Sequence, residues 1–155
     1  MNTQNPPSPT ARLLLDAAAI DRALKRIAHE IIERNPEPDR IAILGVPSRG
    51  VVVSERLAAY VQQFSGTGVE TGIVDISMHR DDLARRPVPA VVPTRLPYDL
   101  ENRTIILADD VAFTGRTCRA AMDALADFGR PAKIQYAVLI AVSYTHLTLP
   151  TIYSV

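Results

Sequence analysis

Apolar residues recur along the chain with two different periods, and the switches between them lay out alternating elements. From Asp16 onward, Ile20, Leu24, Ile27 and Ile31 return at steps of four and three, the spacing of a helix with one apolar face. Asp16 stands where an N-cap belongs, and the helix is expected to end near Asn35, ahead of Pro36. "IAILGV" (41–46) is a short β-branched run between turn residues, as in a strand buried on both faces. "RGVVVSERLAAYVQQF" (49–64) returns to helical spacing through Val53, Leu57, Tyr60, Val61 and Phe64, and "VETGIVDIS" (69–77) reads as a second strand with less clean alternation. "TIILAD" (104–109) predicts a third buried strand, ending at two adjacent acids. "RTCRAAMDALADF" (116–128) predicts a helix closed by Gly129 with Pro131 beyond, and "KIQYAVLI" (133–140) a fourth strand. Strands alternating with helices at this spacing imply an α/β fold, a mostly parallel sheet with helices on both faces. Such sheets bind ligands beyond the carboxyl ends of their strands. Ahead of these elements, "MNTQNPPSPTA" is polar, proline-rich and aperiodic, and residues 1–13 are expected to form a flexible arm.

Composition narrows the partners. A chain of 155 residues suits one core, and its 17 basic side chains balance 17 acidic ones, so any basic surface has to be local. The single cysteine, Cys118, excludes an internal disulfide framework and fits a reducing cytoplasm, with a packing role in its predicted helix. No apolar run approaches the roughly 20 residues that span a bilayer, and the first dozen residues lack a secretory apolar stretch; a cytoplasmic location without membrane attachment is expected.

The chemistry concentrates in "ILADDVAFTGRT" (106–117). Thr114-Gly115-Arg116-Thr117 falls where a strand's exit loop turns into a helix, and a helix N-terminus offers unpaired N–H groups and the positive end of its dipole. Gly115 permits close approach, and two threonine hydroxyls add donors, which makes a phosphate cup. The Walker spacing is absent, and a bare "TGRT" reads equally well as a helix capped by Thr114. Asp109 and Asp110 bear on that choice. They cannot both enter an apolar core unpaired, so at least one must face a polar ligand, and paired acceptors beside a phosphate cup suit the hydroxyls of a phosphorylated sugar. A solvated strand end without ligand is the alternative.

This stretch resembles the phosphoribosyl pyrophosphate (PRPP) motif of the type I phosphoribosyltransferases. Within that family, "RALKRIAHEIIERN", "GVPSRGVVVSERLA", "DISMHRDDL" and "GRPAKIQYAVL" are similar to the bifunctional pyrimidine operon regulators that are also uracil phosphoribosyltransferases. The likeness spans about residues 14–139. It implies that Asp109 and Asp110 contact the ribose hydroxyls of PRPP, and that the turn Val111, Ala112, Phe113, Thr114, Gly115, Arg116 and Thr117 holds its 5-phosphate. It implies further that Ser48, Arg49 and Gly50 form the pyrophosphate loop, and that His79–Leu83 begin a closing loop with Arg80 near pyrophosphate. Read bare, "SRG" before a helix is an ordinary turn and "HRDDL" a polar loop. The implied ligands are PRPP, uracil and UMP or UTP, with Mg2+ carried mainly by PRPP and no dedicated metal ligands among the residues. The three histidines, His29, His79 and His146, lack metal-ligand spacing.

The first helix carries Arg22, Lys25, Arg26 and His29 opposite its apolar stripe. Bare, this is a solvated face interrupted by Glu30 and Glu33; the resemblance implies contact with the leader RNA of the pyrimidine (pyr) operon, promoted by uridine nucleotides, and a homo-oligomer. Lys25 departs from the threonine more usual there. After Leu139 the likeness stops: the family continues with a charged Asp-Arg-Gly-His element of the hood over the base, whereas this chain reads "IAVSYTHLTLPTIYSV" with no charged residue after Lys133. The phosphoribosyltransferase domain is therefore expected over residues 14–140 with an incomplete hood, and residues 141–155 as an atypical tail of non-native origin, the alternative being a divergent closing strand. Two other functions stay open: a nucleotide-responsive RNA-binding regulator without turnover, and a type I phosphoribosyltransferase for another base.

Overall fold

The structure is a computed structural model and describes residues 12–77, 94–97 and 99–142, together with the backbone of 147–148 and 151–154. Its elements run α1 (Ala17–Arg34), a 3-10 turn at Pro38–Arg40, β1 (Ile41–Gly45), α2 (Arg49–Ser65), β2 (Glu70–Ile73), β3 (Thr104–Ala112), α3 (Arg116–Ala126), β4 (Lys133–Val142), β5 (Leu147–Thr148) and β6 (Thr151–Ser154). The sheet order is β2-β1-β3-β4-β5, with β6 also on β4. β1 pairs parallel with β2 and β3, β3 pairs parallel with β4, and β5 and β6 return antiparallel along β4.

Local chemistry explains the boundaries. The Asp16 carboxylate accepts the Ala19 N–H at 2.7 Å and so opens α1 as the sequence pattern predicts. At the far end, the buried Asn35 amide donates to the Ile31 carbonyl and to Gln135 Oε1, both at 2.8 Å, which ties the end of α1 to β4. α1 and α2 share one face of the sheet: Leu24, Ile27, Ile31, Leu57 and Val61 pack on Ile41, Ile43, Ile106, Ala108, Ala137 and Leu139. α3 covers the other, with Ala120, Ala121, Ala124 and Leu125 on Leu44, Ile105, Leu107, Tyr136 and Val138. Each fully buried leucine or isoleucine contributes about 1.5–3 kcal/mol to this arrangement. Among the described residues no helix is long and apolar enough to cross a membrane.

Several boundaries differ from the sequence reading: β1 ends one residue early at Gly45, and β4 runs two residues on to Val142. β2 covers only Glu70–Ile73, because it is an edge strand whose outer side is met by a single bridge from Arg95 to Ile73. β3 runs three residues past Asp109, to Ala112, so both acids lie inside a strand rather than at its end. α3 stops at Ala126 with Asp127 as its C-cap, whose N–H turns back to the Ala124 and Leu125 carbonyls, ahead of the glycine expected to close it.

Candidate functional site

The site forms at the carboxyl end of β3, where a strand, a helix N-terminus and a second helix's entry loop meet. Alternation along β3 sends consecutive side chains to opposite faces. Ala108 belongs to the α1/α2 core and Leu107 to the α3 core, so Asp109 faces α3 and Asp110 faces α2. Alternation starts the two side chains toward opposite faces, yet their carboxyl groups stay within reach of each other, and Asp110 is the second cause, after burial, of the shift at Asp109.

Asp109 is 7% exposed. Its Oδ1 accepts the Asp110 N–H at 2.8 Å and its Oδ2 accepts the Tyr136 hydroxyl at 2.9 Å. Burial, followed by the neighbouring Asp110, pushes its carboxyl up to about 7. Asp110 stays partly open: its side chain is 29% exposed and meets the Arg49 guanidinium at 3.6 Å. Arg49 itself is 83% exposed, so this pair is loose and screened, and a charged ligand can displace it.

Arg49 reaches Asp110 because α2 begins almost in contact with β3. A Cβ on Gly50 would stand 2.5 Å from the Ala108 carbonyl oxygen and 3.3 Å from Asp109 Cα, so only glycine admits this approach. The Val46 N–H donates to the Ala108 carbonyl at 3.1 Å, and the Pro47–Ser48 peptide is cis, so "VPSRG" lies over the end of β3. Ser48 stands at the N-cap position of α2 without a side-chain capping bond.

Beyond Ala112 the chain turns through exposed Phe113, Thr114 and Gly115 into α3. Gly115 is the N-cap in the left-handed conformation, φ 75°, which a side chain would strain. The Thr114 hydroxyl accepts the Arg116 N–H at 3.4 Å, so part of the capping role expected of Thr114 is present. The N–H groups of Thr117 and Cys118 belong to the first turn, where a helix leaves donors without an intrahelical acceptor. A cavity of about 800 Å³ adjoins this turn on the α3 face, lined among others by Ala112, Gly115, Cys118, Arg119 and Tyr136. A second, of about 560 Å³, lies on the α2 face beside Arg49, Val52, Asp110 and Val111. Burial raises the Cys118 thiol, with the Asp109 charge adding to it, which keeps it protonated and suits the packing role.

The sequence-derived residues therefore divide. Ser48, Arg49, Gly50, Asp109, Asp110 and the turn Val111–Thr117 converge on one end of the sheet. Arg80 and the rest of His79–Leu83 lie outside the described residues. Arg22, Lys25, Arg26 and His29 are all exposed on α1, and Lys25 and His29 are among those with structural partners. Lys25 Nζ pairs with Asp21 at 2.8 Å, and the His29 ring stacks on Phe64 with centroids 4.1 Å apart. Asp21 also accepts from Arg56 at 3.1 Å and from the Tyr60 hydroxyl, fastening α1 to α2. Lys25, the strongest of these partners, holds the Asp21 carboxyl below its ordinary range. One residue of the site, Tyr136, went unread in the sequence, because inside "KIQYAVLI" it looks like core. The available signal was its hydroxyl, which needs a partner wherever a tyrosine is buried.

Comparison with known proteins shows the family and the fold. The sequence model of the family described as "Phosphoribosyl transferase domain" matches residues 12–147. The bifunctional protein PyrR of Chloroflexus aurantiacus is 51% identical over 137 residues, 88% of this chain and 75% of its own length. That of Leifsonia xyli subsp. xyli is 46% identical over 143 residues, 89% and 78% of the two chains. Among solved structures, a purine phosphoribosyltransferase from Pyrococcus horikoshii Ot3 superposes with a TM-score of 0.64 at 22% identity, over 87% of this chain and 80% of that one. HGPRT-ase from Leishmania tarentolae, in complex with GMP, gives 0.67 at 18% identity over 90% and 77%. At such identities these structures speak for the fold alone.

Proposed function

The chain belongs to the phosphoribosyl transferase domain family, among its bifunctional PyrR members, and from that premise we propose both of its activities. It transfers the phosphoribosyl group of PRPP to uracil, giving UMP and pyrophosphate, and it binds pyr leader RNA in response to uridine nucleotides, in the cytoplasm. One observation carries the transferase reading: two carboxylates sent to opposite faces of β3, three residues ahead of a turn that opens a helix on a left-handed glycine.

On this reading each part of the donor has its own set of residues. The turn beyond the end of β3, Phe113–Gly115 with Arg116 and Thr117 of the first turn of α3, takes the 5-phosphate, with Val111 and Ala112 leading into it from the strand and with helix-terminal N–H groups and the Thr114 and Thr117 hydroxyls as donors. Asp109 and Asp110 accept from the ribose hydroxyls. The amides of Ser48, Arg49 and Gly50 and the Arg49 guanidinium meet pyrophosphate, exchanging the loose Asp110 contact for a charge-assisted one. Mg2+ carried by the donor's pyrophosphate, beside Arg49 and Asp110, would supply charge neutralisation of the leaving group. A uracil nitrogen bonds to C1 as the C1–O bond breaks, pyrophosphate leaves with the bonding pair, the nitrogen's proton passes to solvent, and no protein nucleophile is required; this chain's residues supply position and electrostatics.

Incubating the protein with uracil, PRPP and Mg2+ and measuring UMP tests the transfer. Product formation supports it, whereas intact PRPP binding without UMP moves the assignment to a regulator without turnover. UMP absent but another nucleotide formed from its base moves it to a phosphoribosyltransferase of different specificity. For the RNA activity, gel shifts with a pyr leader hairpin should weaken with salt and after Arg26→Ala plus His29→Ala. Unchanged binding removes the α1 face from that role.

A further inference from the structure

We propose that Tyr136 is a positioning residue for the transfer, its hydroxyl fixing the Asp109 carboxylate in the orientation that receives the ribose hydroxyls of the donor. The inference rests on the PRPP reading above and adds to it a residue from a different strand.

Tyr136 pairs with Leu107 across the β3–β4 ladder, one same-face step behind the Asp109–Val138 pair. It is 4% exposed, and its ring packs in the α3-side core with Leu107, Ala121 and Val138. A phenylalanine would satisfy that core equally well. The hydroxyl costs free energy to bury unless it finds an acceptor, and the acceptor it finds is Asp109 Oδ2, at 2.9 Å. The other carboxylate oxygen is taken by the Asp110 N–H at 2.8 Å. Two donors on two oxygens fix both the plane and the rotation of the group. Each oxygen accepts more than one hydrogen bond, so a sugar hydroxyl can still be received. Tyr136 keeps its proton throughout the working range, because burial, reinforced by the Asp109 charge, raises its ionisation far above the ordinary tyrosine value. It is therefore a permanent donor.

The hydroxyl bond favours the ionised form of Asp109, opposing burial and Asp110, which favour the neutral one. The titratable groups around Asp109 come from three elements: Asp110 on β3, Tyr136 on β4 and Cys118 on α3. Arg49 of α2 acts through Asp110 on the opposite face. Removing the hydroxyl should raise Asp109 further and release its rotation.

Kinetics of Tyr136→Phe with PRPP and uracil test this. We expect kcat/KM for PRPP to fall about tenfold at neutral pH, the KM for uracil to hold, and the acid limb of the profile to move up by roughly one pH unit. Asp109→Ala supplies the second arm. If Tyr136 acts through Asp109, adding Tyr136→Phe to Asp109→Ala should cost less than about twofold more. A tenfold loss in both backgrounds, or wild-type kinetics for Tyr136→Phe, overturns the proposal. A third arm uses the unmodified chain. With 13Cζ-labelled tyrosine, the Tyr136 resonance should shift as Asp109 titrates near 7, and a flat resonance across that range overturns the proposal even if the variants fail to fold. This readout needs no turnover. A wild-type protein that makes no UMP but shows the shift, with PRPP binding weakened in Tyr136→Phe, sinks the transfer reading and leaves the positioning role standing.

Discussion

Asp109 and Asp110 are the same chemical group on consecutive residues of one strand, yet they sit in different media. Asp109 is enclosed against Tyr136 on the α3 face, and burial pushes its carboxyl up to about 7. Asp110 opens toward solvent on the α2 face and touches an exposed guanidinium. What separates them is the strand itself. Because β3 continues to Ala112, alternation starts the two side chains toward opposite faces and leaves one acceptor enclosed and the other partly open, although their carboxyl groups still feel each other.

The comparison is broken or sharpened first by catalysis. Asp110→Asn keeps the shape of the side chain but removes the charge that faces the donor. kcat/KM for PRPP should fall on the order of 10²-fold while urea unfolding stays within about 0.5 kcal/mol of wild type, as for an exposed position. Asp109→Ala should lose turnover and also stability, by about 1–3 kcal/mol, since it strands the Tyr136 hydroxyl. Equal stability losses in the two variants would erase the distinction between enclosed and open carboxylates. Wild-type turnover in Asp110→Asn would remove it from the site.

Gly50→Ala comes next in size. The added methyl would stand 2.5 Å from a backbone oxygen that cannot step aside, so α2 must move off β3 at a cost of about 1–3 kcal/mol. The shift carries Arg49 away from Asp110 while Asp109 and Tyr136, held within the sheet, stay together. A urea midpoint equal to wild type would show that the close approach of α2 is not needed.

How much of this was legible beforehand follows from where polar groups sit. β1, β3 and β4 announce themselves because strands covered on both faces read as unbroken apolar runs, and α1 because Asp16 and the Ile20–Ile31 stripe mark its start and its face. The convergence of "VPSRG" and "DDVAFTGRT" was readable from topology, since both follow adjacent parallel strands. The true end of β3 was not. Acids signal an exit from the core only if the strand has no way to place them, and here one is satisfied by Tyr136, 27 residues downstream, and the other by the Val111 N–H, solvent and Arg49. No local pattern encodes such a long-range partner. The partnering of Lys25 by Asp21 and of His29 by Phe64 was likewise hidden, because it depends on how α1 crosses α2.

The pH dependence of stability isolates the enclosed carboxylate. Asp109 titrates near 7 in the folded chain and near 4 when unfolded, so the native state binds its proton more tightly. That contribution is fully present below about 4 and is lost as pH rises through about 7. Wild-type stability should therefore fall over this window relative to Asp109→Asn, whose amide cannot ionise, by up to about 4 kcal/mol. Parallel curves for the two proteins would mean that Asp109 is as well solvated as its neighbour.

The smallest effect belongs to the open side, and its smallness is the point. Arg49 Nη1 lies 3.6 Å from Asp110 Oδ2 with most of its side chain in solvent, so the pair adds little to folding once screening and side-chain entropy are counted. Arg49→Gln should change unfolding free energy by less than about 0.5 kcal/mol, and less still at high salt, in urea titrations run at two ionic strengths. A loss above about 1 kcal/mol would mean that Asp110 is locked within the fold as firmly as Asp109. An acid so locked could not turn from Arg49 to a ribose hydroxyl without unfolding part of its surroundings, and the division of labour between the two carboxylates would have to be abandoned.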